Sequence, residues 1–435
     1  VLGRVDFDFS DNLRYAGWFN YSQSDYEGAG THYRDDTRTS FMGVGSAKAY
    51  LDNPFLPDSI RGLMEEKGLT ELNIDRTYGN FPVRREAHHR KTFSIGSELA
   101  GNLTDYVGWS AFAQYGRVKD HAVQGNVPLR SRWLAARDVV TGPNGLPVCR
   151  DAAARADGCL PLNIFSTASP AEELKDWLLD DRDEYRTTTQ LLAGAEISGS
   201  AFEMPAGTAH FALGAEYRKE TLENSDDSLA LSGELVYGGG PGRRSELDEE
   251  FDVTEVFGEL ILPVFADARF ARRMDLELAY RYSDYSTVGS TNAWKAGLIW
   301  EPVQGLAFRG VKSRSVRTPN FGELYEPINT STTTGSITDP CEIGDYHAST
   351  TRAENCLALG VVEPLPDIKT GPWITTGGNP DLDPETSDSL TVGLVWQPTF
   401  LDNFDLTLDY WDIDISNVIT QISYTNILRL CVDLP

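Results

Sequence analysis

Apolar and polar residues alternate with a period of two over most of the chain, the pattern of strands with one apolar and one polar face. Leu276, Leu278, Tyr280 and Tyr282 alternate with Asp275, Glu277, Ala279 and Arg281, and Leu390, Val392, Leu394 and Trp396 alternate with Ser389, Thr391, Gly393 and Val395. The same pattern predicts twelve strands, over 1–10, 13–22, 91–100, 106–117, 187–198, 209–220, 251–262, 275–282, 293–300, 306–316, 389–396 and 404–410. Most run ten residues or more, against a mean of roughly 5–6 in soluble sheets. The expected fold is all-β.

Alternation alone also fits a soluble sandwich. Three further features favour a transmembrane antiparallel β-barrel. The strand length suits a tilted crossing of ~9–11 residues. Aromatic residues gather near strand ends (Trp18, Tyr21, Tyr106, Trp109, Tyr282, Tyr285, Trp300, Trp396, Tyr410), where rings suit bilayer interfaces. The connections alternate in length. Short or medium links fall at 11–12, 101–105, 199–208, 263–273, 301–305 and 398–403; longer ones fall between them at 23–90, 118–186, 221–250, 317–386 and from 417 onward. A short link near 286–290 is the exception. Barrels of outer membranes place short turns on the periplasmic side and long loops outside.

The long connections carry their own signals. Residues 60–67 read as a short helix, and 169–181 as a second, with Ser169 as N-cap, Pro170 in the first turn, and Leu174, Trp177 and Leu178 on one face. Five cysteines are present. Cys149 with Cys159, and Cys341 with Cys356, form close pairs in loop-like segments, which predicts local disulfides and an oxidising compartment; inert thiols are the alternative. Cys431 is left over, and its partner is expected past Pro435. No run approaches the ~18–20 apolar residues of a spanning helix. A formal net charge of −27 argues against binding a nucleic-acid backbone. The chain opens in mid-pattern, without an initiator methionine or leader, and ends at Asp433-Leu434-Pro435, so a fragment is expected.

Candidate chemistry is sparse. His88 and His89 are neighbours on one strand, point to opposite faces and cannot chelate together. The glycine run 238–242 lacks the Gly-Lys-Ser/Thr of a phosphate loop and reads as a loop tip. The acidic stretches 180–184 and 246–252 lack calcium-loop spacing and read as solvated faces. No catalytic constellation, metal site or cofactor site is predicted, and the chain is not expected to be an enzyme.

Two stretches break the alternation. The first contains Lys312, Arg314, Arg317, Pro319, Asn320, Gly322, Glu323, Leu324 and Tyr325. Lys312 and Arg314 share one face, inward if Val311 faces lipid, and Pro319 ends the ladder. These charges either contact something inside the barrel or meet only water and neighbouring acids. The second contains Asn379, Pro380, Leu382, Pro384, Glu385 and Thr386. Its prolines set an extended entry into a strand.

At these stretches the chain resembles the TonB-dependent receptor family of Gram-negative outer membranes. The similar segments are Arg-Ser-Val-Arg-Thr-Pro-Asn-Phe-Gly-Glu-Leu-Tyr, Gly-Asn-Pro-Asp-Leu-Asp-Pro-Glu-Thr and Leu-Asp-Tyr-Trp-Asp-Ile-Asp-Ile; the loop around Cys149 and Cys159 resembles a cysteine-paired loop of large members. The resemblance implies part of a 22-stranded barrel, with residues 1–435 as barrel segment and the plug, signal peptide and C-terminal strands outside it. It implies residence in outer-membrane lipid, an N-terminal plug, and energy from the TonB–ExbB–ExbD complex. The implied function is uptake of a ferric siderophore, a cobalamin-like ligand or an oligosaccharide, captured by the long loops. Arg314 and Arg317 would then face inward or toward the plug. Tyr237, Tyr325, Tyr346 and Trp373 would stack on a glycan or catecholate, or else anchor loop packing. A passive porin or adhesin barrel and a secreted soluble β-protein are the competing readings.

Overall fold

The computed structural model describes residues 1–434 except 31, 36–46, 236–245, 333–337, 367–372 and 402. Twelve antiparallel strands form one sheet in sequence order. They are β1 (Leu2–Ser10), β2 (Leu13–Ala29), β3 (Arg85–Thr104), β4 (Val107–Pro128), β5 (Leu179–Met204), β6 (Gly207–Asp226), β7 (Leu247–Ala268), β8 (Ala271–Tyr285), β9 (Gly289–Val303), β10 (Leu306–Arg317), β11 (Glu385–Trp396) and β12 (Leu406–Ser416). Each matches one strand expected from the alternation. The antiparallel meander needs only hairpin connections, and every second one is long except that between β8 and β9, where only 286–288 lie outside the strands. Among the described residues, eight helices lie in or after the long connections: α1 (Asp58–Glu66), α2 (Arg130–Arg137), α3 (Ala152–Ala156), α4 (Glu172–Leu178), α5 (Ser228–Ser232), α6 (Phe321–Tyr325), α7 (Thr350–Ala358) and α8 (Tyr424–Asp433).

The ladder register sorts the side chains into two faces. One face carries Phe19, Ile95, Tyr115 and Leu191 in one cross-strand row, and Leu260, Leu278, Ala296 and Lys312 in another. Much of this face is open: Ile95, Leu213, Val256, Tyr280, Val392 and Leu408 are all exposed. The other face carries Asp6 with Arg14, Glu255 with Arg281, Lys295 with Glu277, and Arg309 with Asp409, as ion pairs. The buried hydrophobic clusters of the described residues lie mainly in the connections, not under the sheet. An apolar face this wide, left uncovered by a second layer, is the lipid-facing band of a barrel.

The strands run further than the alternation suggested on the long-loop side. β5 has 26 residues and begins at Leu179, eight before the expected start at 187. There the apolar positions stop but the hydrogen-bonded ladder with β4 and β6 continues. The acidic stretch 180–184 is therefore strand, not a solvated loop face. Arg182 lies in it, 2% exposed, with Asp226 as its partner. The medium links also shrink, leaving only 205–206 and 269–270 outside the strands.

Two aromatic assignments change with the register. Trp18 shares the side of Arg14 and covers Gly96 of β3, and Tyr285 shares the side of Glu255 rather than that of Tyr280 and Tyr282. In α4 the N-cap is Ala171, without a side-chain cap, rather than Ser169. Leu174 and Leu178 are buried there as the spacing predicts.

Candidate functional site

The two stretches that break the alternation come together at the long-loop end of β10 and β11. Arg317 stands opposite Glu385 in the ladder. Its guanidinium donates to both Glu385 oxygens, Nε at 2.7 Å and Nη2 at 2.9 Å. It also reaches Glu323, with Nη1 3.0 Å from Oε2. Buried Pro319 ends the strand, because it offers no N–H to continue a ladder. Asn320 then caps α6. Its Oδ1 accepts from the Glu323 N–H at 3.0 Å, while the Glu323 carboxylate accepts from the Asn320 N–H at 2.9 Å, a reciprocal capping box.

Glu323 thus serves both the cap and Arg317. The Arg317 guanidinium holds its carboxyl below the usual carboxylate range, against partial burial and with help from the Asn320 N–H.

The returning chain closes on the same helix. The Asn379 N–H donates to the Glu323 carbonyl at 2.8 Å, and the Gly378 N–H to that of Glu326 at 2.7 Å. Gly378 lies against backbone: a Cβ there would sit 2.5 Å from the carbonyl carbon and oxygen of Leu324. The Asn379 side chain accepts from the Asp381 N–H at 3.0 Å. Pro380 is exposed, while Leu382 and Pro384 are half-buried on the way into β11. Glu385 finally accepts from the Ile419 N–H, just past β12, at 2.7 Å. One arginine therefore ties together two strand ends, a loop helix and the segment after a third strand.

Lys312 and Arg314 lie elsewhere. The register puts both on the side of Phe308, the apolar face, while Val311 shares the side of Arg309. Of Arg314 and Arg317, both expected inward or toward the plug, only Arg317 shares the polar side of Arg309. Arg314 is paired across the ladder with Asp388 at 2.7–2.8 Å. It stands opposite Trp294, at the rim of the apolar band.

Among the four aromatic residues singled out, Tyr346 is 5% exposed, packs with the Cys341–Cys356 bridge and Val432, and donates to the Val361 carbonyl. It is an anchor of loop packing. Tyr325 is half-buried at the end of α6. Trp373 begins a two-stranded ribbon, Asn329–Thr332 with Trp373–Thr376. Tyr237 and the glycine run 238–242 lie outside the described residues.

Both expected disulfides are formed, Cys149–Cys159 and Cys341–Cys356, and Cys431 is exposed and free. Beside the second bridge, Arg352 holds Asp433 of α8 through two bonds of 2.6 and 2.7 Å. An open cleft of about 870 Å³ runs along the start of α8, lined by Glu342, Leu365, Ile374, Ile422, Tyr424 and Leu428 among others.

The connections between β2 and β3 and between β4 and β5 fold into a single cap. Tyr33, Tyr78 and Phe81 from the first pack around Trp133 of α2 from the second, with ring centroids 5.0–5.9 Å from it. Met64, Leu162, Ile164, Leu174, Leu178 and the Cys149–Cys159 bridge complete the core. Polar clamps join the same two segments. Asp35 pairs with Arg137 at 3.2 Å and accepts from Tyr78 Oη at 2.6 Å. Burial pushes the Asp35 carboxyl up, against Arg137 and Tyr78. Arg150 donates to both oxygens of Asp52 and to Asp138. Arg76 donates to the carbonyls of Ile164 and Ser166.

Sequence reasoning missed one constellation. His89 stands opposite His121, not beside a useful His88, with ring centroids 5.9 Å apart. His89 Nδ1 is 2.8 Å from Asp25, and His121 Nε2 is 2.6 Å from Asp183. Only the register brings these together. Among the described residues, no group of three or more histidines, cysteines and carboxylates is arranged to hold a metal.

A twelve-stranded meander with one lipid-facing side, all long connections at one end and a tied pair of late-strand motifs defines a barrel of outer-membrane receptor type. The family described as TonB dependent receptor-like, beta-barrel, matches residues 8–432, and the chain belongs to it. Among solved structures it is similar to the ferric enterobactin receptor of Pseudomonas aeruginosa, at 13% identity and TM-score 0.48, covering 95% of this chain and 42% of that one. It is similar to a siderophore receptor of Acinetobacter baumannii, at 16% identity and TM-score 0.46, covering 95% and 42%. It is also similar to the RagAB peptide transporter, at 11% identity and TM-score 0.47, covering 94% and 39%. The chain thus spans less than half the length of these proteins. No curated protein matches it.

Proposed function

We propose that this chain is barrel and loop structure of an outer-membrane active transporter that takes up a scarce nutrient, a ferric siderophore, a cobalamin-like ligand or an oligosaccharide. The observation that carries the reading is the family match over residues 8–432. In the full receptor, a plug would fill the barrel and pass on the pull of TonB–ExbB–ExbD. The cap over the β2–β5 end and the cleft beside Tyr424 are candidate ligand-capturing surfaces, and of the two late-motif arginines Arg317 is the one placed on the polar side, where it would meet a plug. The family label fits a ligand taken up against a gradient better than passive diffusion. Deletion of the full-length gene tests this, with growth compared on iron-limited, cobalamin-limited and glycan media, with and without TonB. A growth defect on one medium, reproduced by loss of TonB, is expected. Uptake independent of TonB would favour a passive porin.

A further inference from the structure

Most charged side chains of the sheet neutralise one another. Arg4, Arg14, Arg90, Arg281, Lys295, Arg309, Arg314 and Arg317 all have a carboxylate partner. Lys91 of β3 and Arg117 and Lys119 of β4 are different. All three are exposed, and none makes an ion pair or hydrogen bond among the described residues.

Their positions are specific. Lys91 stands directly opposite Lys119, and Arg117 stands opposite Phe93, one step along. Like charges directly opposite in a ladder destabilise it. This pair is kept in a chain with 65 acidic residues and 38 basic ones, where partners are plentiful. Of the carboxylates further along this face, Asp25 is engaged by His89 and Gln23, and Asp183 by His121.

The three cations share the apolar face. The next rows toward the short-turn end carry Tyr21, Phe93, Ile95 and Tyr115, all exposed. The cationic row therefore lies where a lipid-facing aromatic girdle gives way to the long-loop side. Rings at that level sit among headgroups, and basic side chains beside them attract anionic lipid. Lys219 on β6 also shares this face but is taken up by Glu250 at 2.9 Å, and Lys312 of β10, exposed on the same face, stands alone on a distant strand, so among the described residues the free cations of this face cluster on β3 and β4.

Resting on the reading of this chain as an outer-membrane barrel, we propose that Lys91, Arg117 and Lys119 bind the phosphorylated headgroup of an outer-leaflet glycolipid. Two opposed lysines and a diagonal arginine present a small cationic triangle beside an apolar wall. That suits a phosphate whose acyl chains lie against Phe93, Ile95 and Tyr115.

The test uses the full-length receptor in detergent micelles, titrated with bis-phosphorylated lipid A, with the dephosphorylated lipid, and with inorganic phosphate. Binding of the phosphorylated lipid is expected to weaken about tenfold or more in Lys91→Gln/Arg117→Gln/Lys119→Gln, and to persist in Lys91→Arg/Lys119→Arg. The dephosphorylated lipid should bind weakly to every form. Equal binding by the triple variant, or by the dephosphorylated lipid, overturns the proposal, and so does displacement of the lipid by millimolar inorganic phosphate. Should the triple variant not insert, Lys91→Gln and Lys119→Gln singly carry the same comparison. Wild-type protein that fails to fractionate with the outer membrane would defeat the barrel reading itself. A correctly fractionated protein whose lipid binding ignores these residues defeats only this inference.

Discussion

Arg182 and Asp226 meet on adjacent strands, their side chains 2% and 0% exposed, with the guanidinium Nε 2.8 Å from Oδ1. Glu184 and Gln124 take further guanidinium N–H groups. Truncating one partner would strand a buried charge. Asp226→Ala is expected to destabilise the long-loop end of β5 and β6 by about 3–5 kcal/mol. Hydrogen exchange should rise at 179–186 and 222–226 while the apolar band stays protected. Uniform exchange across both strands would contradict this.

The Arg317 junction predicts a local, pH-sensitive effect. Glu323 has a folded-state pKa below its ordinary 4.5, chiefly through Arg317. A depressed carboxyl contributes stability above its unfolded pKa and loses it as pH falls through the folded value. The junction should thus be intact at neutral pH and at pH 5, and loosen only below the normal glutamate range. Arg317→Ala should expose the connection after β10 to protease already at pH 7. Arg314→Ala, which leaves Glu323 and Glu385 untouched, should not.

Gly378 offers a steric test. An alanine methyl would lie 2.5–2.6 Å from backbone atoms of Leu324 and Glu326. Gly378→Ala should cost about 1–3 kcal/mol of local stability and break the bond to the Glu326 carbonyl. In the full receptor, slower ligand uptake with unchanged heat-modifiable mobility on gels is expected. A wild-type protease pattern would argue that the loop relaxes freely.

The Cys149–Cys159 bridge closes a separation of ten residues within the cap. Replacing both cysteines with alanine should lower cap stability by roughly 2–3 kcal/mol, read as earlier melting of tryptophan fluorescence. The β-sheet circular-dichroism signal should melt as before. Concerted melting of sheet and cap would show that they are one cooperative unit.

The strands were legible because lipid and water impose opposite demands on alternate residues. Leu276 to Tyr282 obeys that rule, and so does Leu390 to Trp396. Beyond the apolar band the rule lapses, since both faces then meet water or protein. That is why the alternation stops short of the Leu179 end of β5, although its ladder continues there. The two late motifs were visible as departures from the pattern. Their contact through Arg317 was not, because nothing in either segment encodes which strands are neighbours. The sides of Trp18, Lys312 and Arg314 failed for a related reason. Each needs the register, and a strand end with few apolar neighbours does not reveal it. His89 and His121, 32 positions apart in sequence, become partners only through the same register.

The shared core around Trp133 has a consequence for chimeras. The segment between β2 and β3 supplies Tyr33, Tyr78 and Phe81, while the segment between β4 and β5 supplies the tryptophan they enclose. Neither owns a complete interior. A graft that moves one of them onto another receptor transfers half a globule, and the recipient inherits its exposed hydrophobic side. Recognition properties seated there would travel only when both segments are transplanted together, so within this receptor the two must diversify as one heritable unit.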